Sequence, residues 1–301
     1  MEQLIQQVAS GLANGAIYAS LALALVMIFV STNHINFAQG EMAMFSAYLA
    51  WQLMEWGLNV WLALPLVMAL SFAAGVAIER SILRPLHSAP VLAVVVVFIG
   101  LLTIFHALAG GIWTHTIKAV PSPFPQVTFP GSAYIGSHQL GMIAITVVVL
   151  LALFAFFRFT PLGLAMRAAA QNPASARLAG ISVDWMLALG WGLAAAVGAV
   201  AGCMVAPAVY LEPNMMASIL LYGFAGALVG GISSPGGAVA GGFIVGVLEN
   251  LIAYLGNVIE RATGVYIVGN GEKLTVALVI VIAVLTLKPS GLFGRVTVQR
   301  V

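Results

Sequence analysis

Along this chain, apolar stretches without a single charge alternate with short polar breaks, and the lengths of those stretches set the first expectation. Uncharged runs occupy 8–30, 58–78, 91–113, 140–157 and 185–211. As helices rising about 1.5 Å per residue, each is long enough to cross, or nearly cross, a hydrocarbon core of about 30 Å. A further segment, 37–55, is apolar apart from Gln39, Glu41, Gln52 and its terminal acid, and it follows a polar break at 31–36. The uncharged stretch 213–248 is too long for one helix, and Ser233 to Gly237 supply the turn that splits it. The run 274–287 reaches only about 21 Å and must borrow residues from the segment before it. The pattern predicts an all-α integral membrane protein, a polytopic helical bundle with about nine transmembrane helices, eight to ten being compatible.

Between the two apolar halves lies a polar interval from Arg158 to Trp185. Its punctuation predicts two short helices at a membrane surface. Thr160 caps the first, Pro161 suits its first turn and Asn172 marks its end. Asn172 caps the second as well, with Pro173 at its first position and Gly180 just past its last turn. Ser182 is then placed to cap a long apolar helix, with Asp184 in its first turn favouring the helix dipole. The chain reads as one transmembrane domain over 1–301, with 158–184 as a loop and 288–301 as a tail.

Basic residues orient this layout, because loops rich in Lys and Arg stay cytoplasmic. Arg80 and Arg84 share one loop, Arg158, Arg167 and Arg177 the polar interval, and Lys288, Arg295 and Arg300 the tail. These regions therefore share the inner side. Alternation puts Lys118, the segment Pro121 to Pro130 and Arg261 outside. Trp51, Trp56, Trp61 and Trp113 fall near the outer ends, where indole rings favour the interface.

Composition agrees with a membrane chain: 62% of residues are hydrophobic and 7% charged, where a soluble domain carries about 25% charged. A net charge of +2 gives no reason for a nucleic-acid partner. The single Cys203 permits no disulfide within the chain and reads as a small core residue. MEQLIQQ has no basic residue ahead of the first apolar run, which makes it a poor signal peptide. His34, His87, His106, His115 and His138 are scattered without metal-ligand spacing, and no Gly-Lys pair occurs for a phosphate loop. No catalytic residue, metal or bound cofactor is expected; any ATP and Mg belong on other subunits.

Two acids interrupt apolar segments. An acid at mid-bilayer costs about 2.5 to 3.5 kcal/mol on insertion scales, so it needs a cavity or a partner. Glu41 follows Asn36 and Gln39, which suggests a broken helix start beside a translocation path. Glu249, late in its helix, reads as a hydrated interfacial acid. Small residues four apart, Gly226 with Gly230, Gly237 with Gly241 and Gly242 with Gly246, allow close backbone approach in lipid, against neighbours of the same chain or a partner face.

Taken in order, these motifs resemble the permease subunits of branched-chain amino acid ABC importers, in the LivH-like branch. The resemblance rests on INFAQGE at 35–41, Arg84-Pro85-Leu86, the loop pattern Thr160, Gly163, Arg167, Ala168, Ala176 and Gly180-Ile181, the glycine-rich segment from Gly230 to Glu249, and KPSGLFG at 288–294. Ser233 departs from the glycine usual there. The resemblance implies a permease domain that pairs with a second, homologous permease or with itself, two cytoplasmic ATP-binding subunits, and a soluble periplasmic or extracellular substrate-binding protein. It places the chain in a bacterial inner membrane as a multi-pass transport subunit for branched-chain amino acids or related small solutes. In this frame 158–184 is the coupling loop. Pro173, Ala174, Arg177, Leu178 and Gly180, with Arg167, face the ATPase, and Leu178 seats in its cleft. An ion-coupled secondary transporter and a passive small-solute channel are the alternatives.

Overall fold

The computed structural model describes residues 2–32, 34–87, 89–127, 135–264 and 272–294. Pro130 of the outer segment and Arg295 and Arg300 of the tail lie outside the described residues. The helices follow the apolar runs: α1 (Glu2–Thr32), α2 (Gln39–Glu55), α3 (Val60–Ile78), α4 (Val91–Trp113), α5 (Ser137–Phe159), α6 (Pro161–Gln171), α7 (Pro173–Leu178), α8 (Val183–Val209), α9 (Ala217–Gly230), α10 (Pro235–Thr263) and α11 (Lys273–Leu287). Between α3 and α4 the chain tightens from a π-helical turn, Glu79–Leu83, into a 3-10 turn, Arg84–Leu86.

Among the described residues, six helices are long and apolar enough to cross a membrane: Glu2–Val30, Val60–Leu86, Val91–Trp113, Ser137–Phe159, Val183–Val209 and Pro235–Thr263. The expected count of about nine is therefore not met by length. The three remaining segments are helices of 17, 14 and 15 residues. Two of these shortfalls have a local cause. Asn36 folds back on its own backbone and delays α2. Gly231, at φ +112°, ends α9 in a conformation that side chains disfavour.

The chain folds as two compact units. The first comprises Met1–Leu23, Ser122–Thr146 and Ser218–Val301; the second comprises Ala24–Pro121 and Val147–Ala217.

In the first unit the small residues form a continuous seam. A Cβ on Gly226 would sit 2.7 Å from the Cα of Gly242, and one on Gly246 would sit 2.5 Å from Gly15. Gly230 abuts Gly237, and Gly241 abuts the Gly226 carbonyl. All six glycines singled out in the sequence lie buried at contacts among α1, α9 and α10 of the same chain. Gly11 and Gly15 of α1, opposite Val247 and Phe243, complete the seam. After α11, the Leu292 and Phe293 N–H groups donate to the Val229 and Gly230 carbonyls, at 2.8 and 2.9 Å. The described part of the tail thus satisfies carbonyls that a helix end leaves without partners.

In the second unit α8 is the packed axis, with α2 and α3 against it. Gly75 of α3 meets the Trp191 carbonyl, and Gly202 of α8 meets the Ala43 backbone. By contrast α4 presents a largely exposed apolar surface, as expected of a helix whose outer face meets lipid.

Candidate functional site

The first site is the start of α2. Asn36 Oδ1 accepts from the Ala38 N–H at 2.9 Å, a local turn that uses the side chain in place of another helical residue. Asn36 Nδ2 donates to Gln39 Oε1 at 3.3 Å, and Gln39 Nε2 donates to the Ala194 carbonyl of α8 at 3.1 Å. Both amides are fully buried. Asn36 and Gln39 are thus a fixed polar wedge between helices, and Gln39 is held against α8 at the level of Gly198.

Glu41 follows within the first turn of α2. Its carboxylate is almost wholly buried, and Oε2 makes no hydrogen bond among the described residues. An imidazole faces it from α4, with His106 Nδ1 at 3.4 Å. A second imidazole, His115, lies 6.4 Å from His106 between ring centres. In the sequence His106 is one of several scattered histidines. The pairing brings residues 65 positions apart into contact, and no local pattern announces it.

The second site is the polar interval. Thr160 Oγ1 accepts from the Gly163 N–H at 3.0 Å, and Asn172 Oδ1 accepts from the Ser175 N–H at 3.0 Å, as the caps predict. Ser182 occupies the cap position of α8 but its side chain makes no capping bond. Ala176 of α7 is buried against Ala169 and Val183, which fastens one face of a six-residue helix. The opposite face is open: Pro173, Ala174, Arg177 and Gly180 are exposed, as is Arg167 of α6, and Leu178 is 91% exposed.

Arg177 is not wholly free to meet a partner. Its guanidinium lies 3.5 Å from Asp184 Oδ1, while Arg84 donates to Asp184 Oδ2 at 2.8 Å. Asp184 therefore ties the 3-10 turn and α7 to the start of α8. Arg80 lies over the Trp185 ring at 4.0 Å. In the π-turn, Glu79 is fully buried and neither carboxylate oxygen is hydrogen-bonded among the described residues; His87 Nε2 lies 3.4 Å from Oε1. Burial pushes the His87 imidazole below its ordinary pKa, and Asp184 opposes that shift.

Glu249 is not a hydrated interfacial acid. It is 1% exposed, with Oε1 accepting from the Tyr18 hydroxyl at 3.0 Å and from Asn250 Nδ2 at 3.4 Å. Lys273 Nζ donates to Asn250 Oδ1 at 2.9 Å, which brings a positive charge to the far side of the amide. The described residues hold no cluster of three or more side chains suited to a metal.

Two acid–imidazole pairs, a capped surface helix and glycine-sealed helix contacts describe a membrane machine without naming it. Residues 7–287 match the family described as branched-chain amino acid transport system / permease component. The chain belongs to that family.

Three relatives extend this. The permease is similar to the high-affinity branched-chain amino acid transport system permease protein LivH of Salmonella typhimurium, 30% identical over 99% of this chain and 97% of that one. It is 30% identical to the high-affinity branched-chain amino acid transport system permease protein BraD of Pseudomonas aeruginosa, over 99% and 98% of the two chains. A probable branched-chain amino acid transport permease protein LivH of Methanocaldococcus jannaschii is likewise 30% identical, over 91% and 87%. The permease is thus a polytopic transport subunit homologous to ABC-importer permeases, and a multi-pass protein of the bacterial inner membrane. Membership implies the general ABC-importer plan of paired permeases, ATPases and a binding protein.

Proposed function

We propose that this permease forms one membrane half of an ATP-driven importer for branched-chain amino acids. It pairs with a second, homologous permease or with another copy of itself, receives substrate from a soluble binding protein, and is driven by two cytoplasmic subunits that hold ATP and Mg. Its 1–301 chain acts as a single permease domain in which α2, α9 and α11 complete nine crossings. The end carrying Arg80, Arg84 and 158–184 faces the cytoplasm, because five of the six basic residues of the second unit collect there.

The observation that carries the reading is Leu178, 91% exposed on a helix that is capped at one end and pinned by Ala176. A lone exposed leucine is ordinary; its place on a capped, pinned helix within the basic interval is what supports a partner contact here. On this reading Arg167, Pro173, Ala174, Arg177 and Gly180 frame the contact, and Leu178 fills an ATPase cleft. Asn36, Gln39 and Glu41 border the translocation path, with His106 facing Glu41 at 3.4 Å.

The test is reconstitution of the tagged chain with the subunits that co-purify. ATP-dependent uptake of leucine, isoleucine or valine, requiring the binding protein, is expected. Uptake by the isolated chain under a proton or sodium gradient would support ion coupling instead.

A further inference from the structure

The unexplained features of the second unit converge on one place. Leu83, Leu86, Val94, Phe98 and Leu187 enclose a cavity of about 150 Å³, completed by three nitrogen-bearing side chains, His34, His87 and Trp191. It lies at the basic end of the unit, against the junction of the π-turn and the 3-10 turn. Departures from α-helical geometry of this kind recur at functional sites.

The walls specify what fits. An apolar cavity of about 150 Å³ accommodates a benzene-sized group, which suits a short branched aliphatic chain. Trp191 is fully buried and stacks on Phe98 at 5.8 Å, yet its Nε1–H has no hydrogen-bond partner among the described residues. Buried indole N–H groups ordinarily find an acceptor. His87 contributes a second polar group: its Nε2 faces Glu79 at 3.4 Å, so in the neutral ring Nδ1 is an acceptor, suited to an ammonium rather than to a carboxylate. Among the described residues no carboxylate lines the cavity. The complement to the unpartnered Trp191 N–H is an oxygen acceptor, and a carboxylate is the strongest of these.

We propose that this cavity is a binding site for a small aliphatic carboxylate, with Trp191 donating to the carboxylate and the leucine and phenylalanine side chains enclosing the aliphatic group. Resting on the importer reading, it is where a branched-chain amino acid halts on the cytoplasmic side before release. Its position at the end that carries Asp184 and α7 puts an occupant next to the segment that meets the ATPase.

The experiment uses the complete importer in nanodiscs without its binding protein, with labelled L-leucine as probe and leucinol, which lacks the carboxylate, as control. Equilibrium dialysis should show leucine bound at least tenfold more tightly than leucinol. Trp191→Phe, which deletes the N–H and keeps an aromatic ring, should weaken leucine at least tenfold and leave leucinol unchanged. Leu187→Phe, which fills the cavity, should abolish binding of both. Absence of leucine binding, equal affinity for leucinol, or leucine binding indifferent to both variants overturns the site. If Trp191→Phe does not assemble, Leu187→Phe decides alone, and unchanged leucine binding overturns the site. Leucine uptake with the binding protein present judges the importer reading separately. Uptake without variant-sensitive binding removes the cavity site only, whereas absence of uptake by an assembled complex removes the importer reading.

Discussion

The Tyr18 hydroxyl donates to Glu249 Oε1 at 3.0 Å, joining α1 to α10 across 231 positions of sequence. Removing one donor from a buried carboxylate costs about 1 to 3 kcal/mol, whereas removing both polar partners costs less. Tyr18→Phe should therefore lower the melting temperature of the detergent-solubilised permease. Tyr18→Phe with Glu249→Met, which removes both polar partners, should melt higher than the sum of the two single losses. Additive losses would show that the two groups do not sense each other.

The glycine seam predicts opposite results at two positions of one helix. A Cβ on Gly242 would collide with the Ala19 backbone, while one on Gly236 meets nothing within 4 Å. Gly242→Val should separate α10 from α1 and leave little folded protein in a size-exclusion assay. Gly236→Ala should be neutral or stabilise by up to about 1 kcal/mol, the difference between the two residues in a helix.

Leu178→Asp should leave insertion and folding intact, because the side chain is 91% exposed and supports nothing in this chain. Loss of a buried leucine contact in the assembled complex costs about 2 to 5 kcal/mol. ATPase activity stimulated by loaded binding protein should fall to its basal level. Stimulation equal to the unsubstituted complex would leave α7 without a coupling role.

Asp184 offers a subtler probe of the same segment. Its two arginine contacts are half-exposed to exposed, so each is worth about 0.2 to 1 kcal/mol. Asp184→Ala should barely change the melting temperature, yet it releases α7 and the Arg84 turn from a common anchor. Reduced transport per ATP hydrolysed, at unchanged stability, is the expected signature. Unchanged stoichiometry would reduce the anchor to surface decoration.

Glu41→Gln keeps the shape and removes the charge facing His106. Complex assembly should persist while leucine uptake drops at least tenfold. Normal uptake would exclude Glu41 from the path.

What was legible in the sequence follows from where the information resides. The α4 boundaries, the Thr160 and Asn172 caps and the split of 213–248 are local, set by charge-free length, capping side chains and a turn, and the structure has them at or near the expected positions. The polarity at Asn36 to Glu41 was visible for the same reason. The contacts of Glu79 with His87 and of Glu41 with His106 depend on how turns and helices pack. Such pairs leave no spacing signal, and a lone acid near the end of an apolar run looks the same whether hydrated or buried. Gly11 and Gly15 carry the same four-residue spacing as the later glycines, but nothing local pairs them with Gly246, more than two hundred residues away. The shortness of α2, α9 and α11 was hidden for a different reason: an apolar run reports what lipid tolerates, not where a residue such as Gly231 stops the helix.

The seam between α1 and α10 also orders events in time. Gly11, Gly15 and Tyr18 leave the ribosome more than two hundred residues ahead of Phe243, Gly246 and Glu249. Contacts this distant in sequence form late and slowly. Until α10 emerges, α1 carries a notch of bare backbone and a phenol whose final acceptor is still unmade. A ribosome stalled before residue 243 therefore leaves a nascent permease in which α1 has no α10 to close its notch.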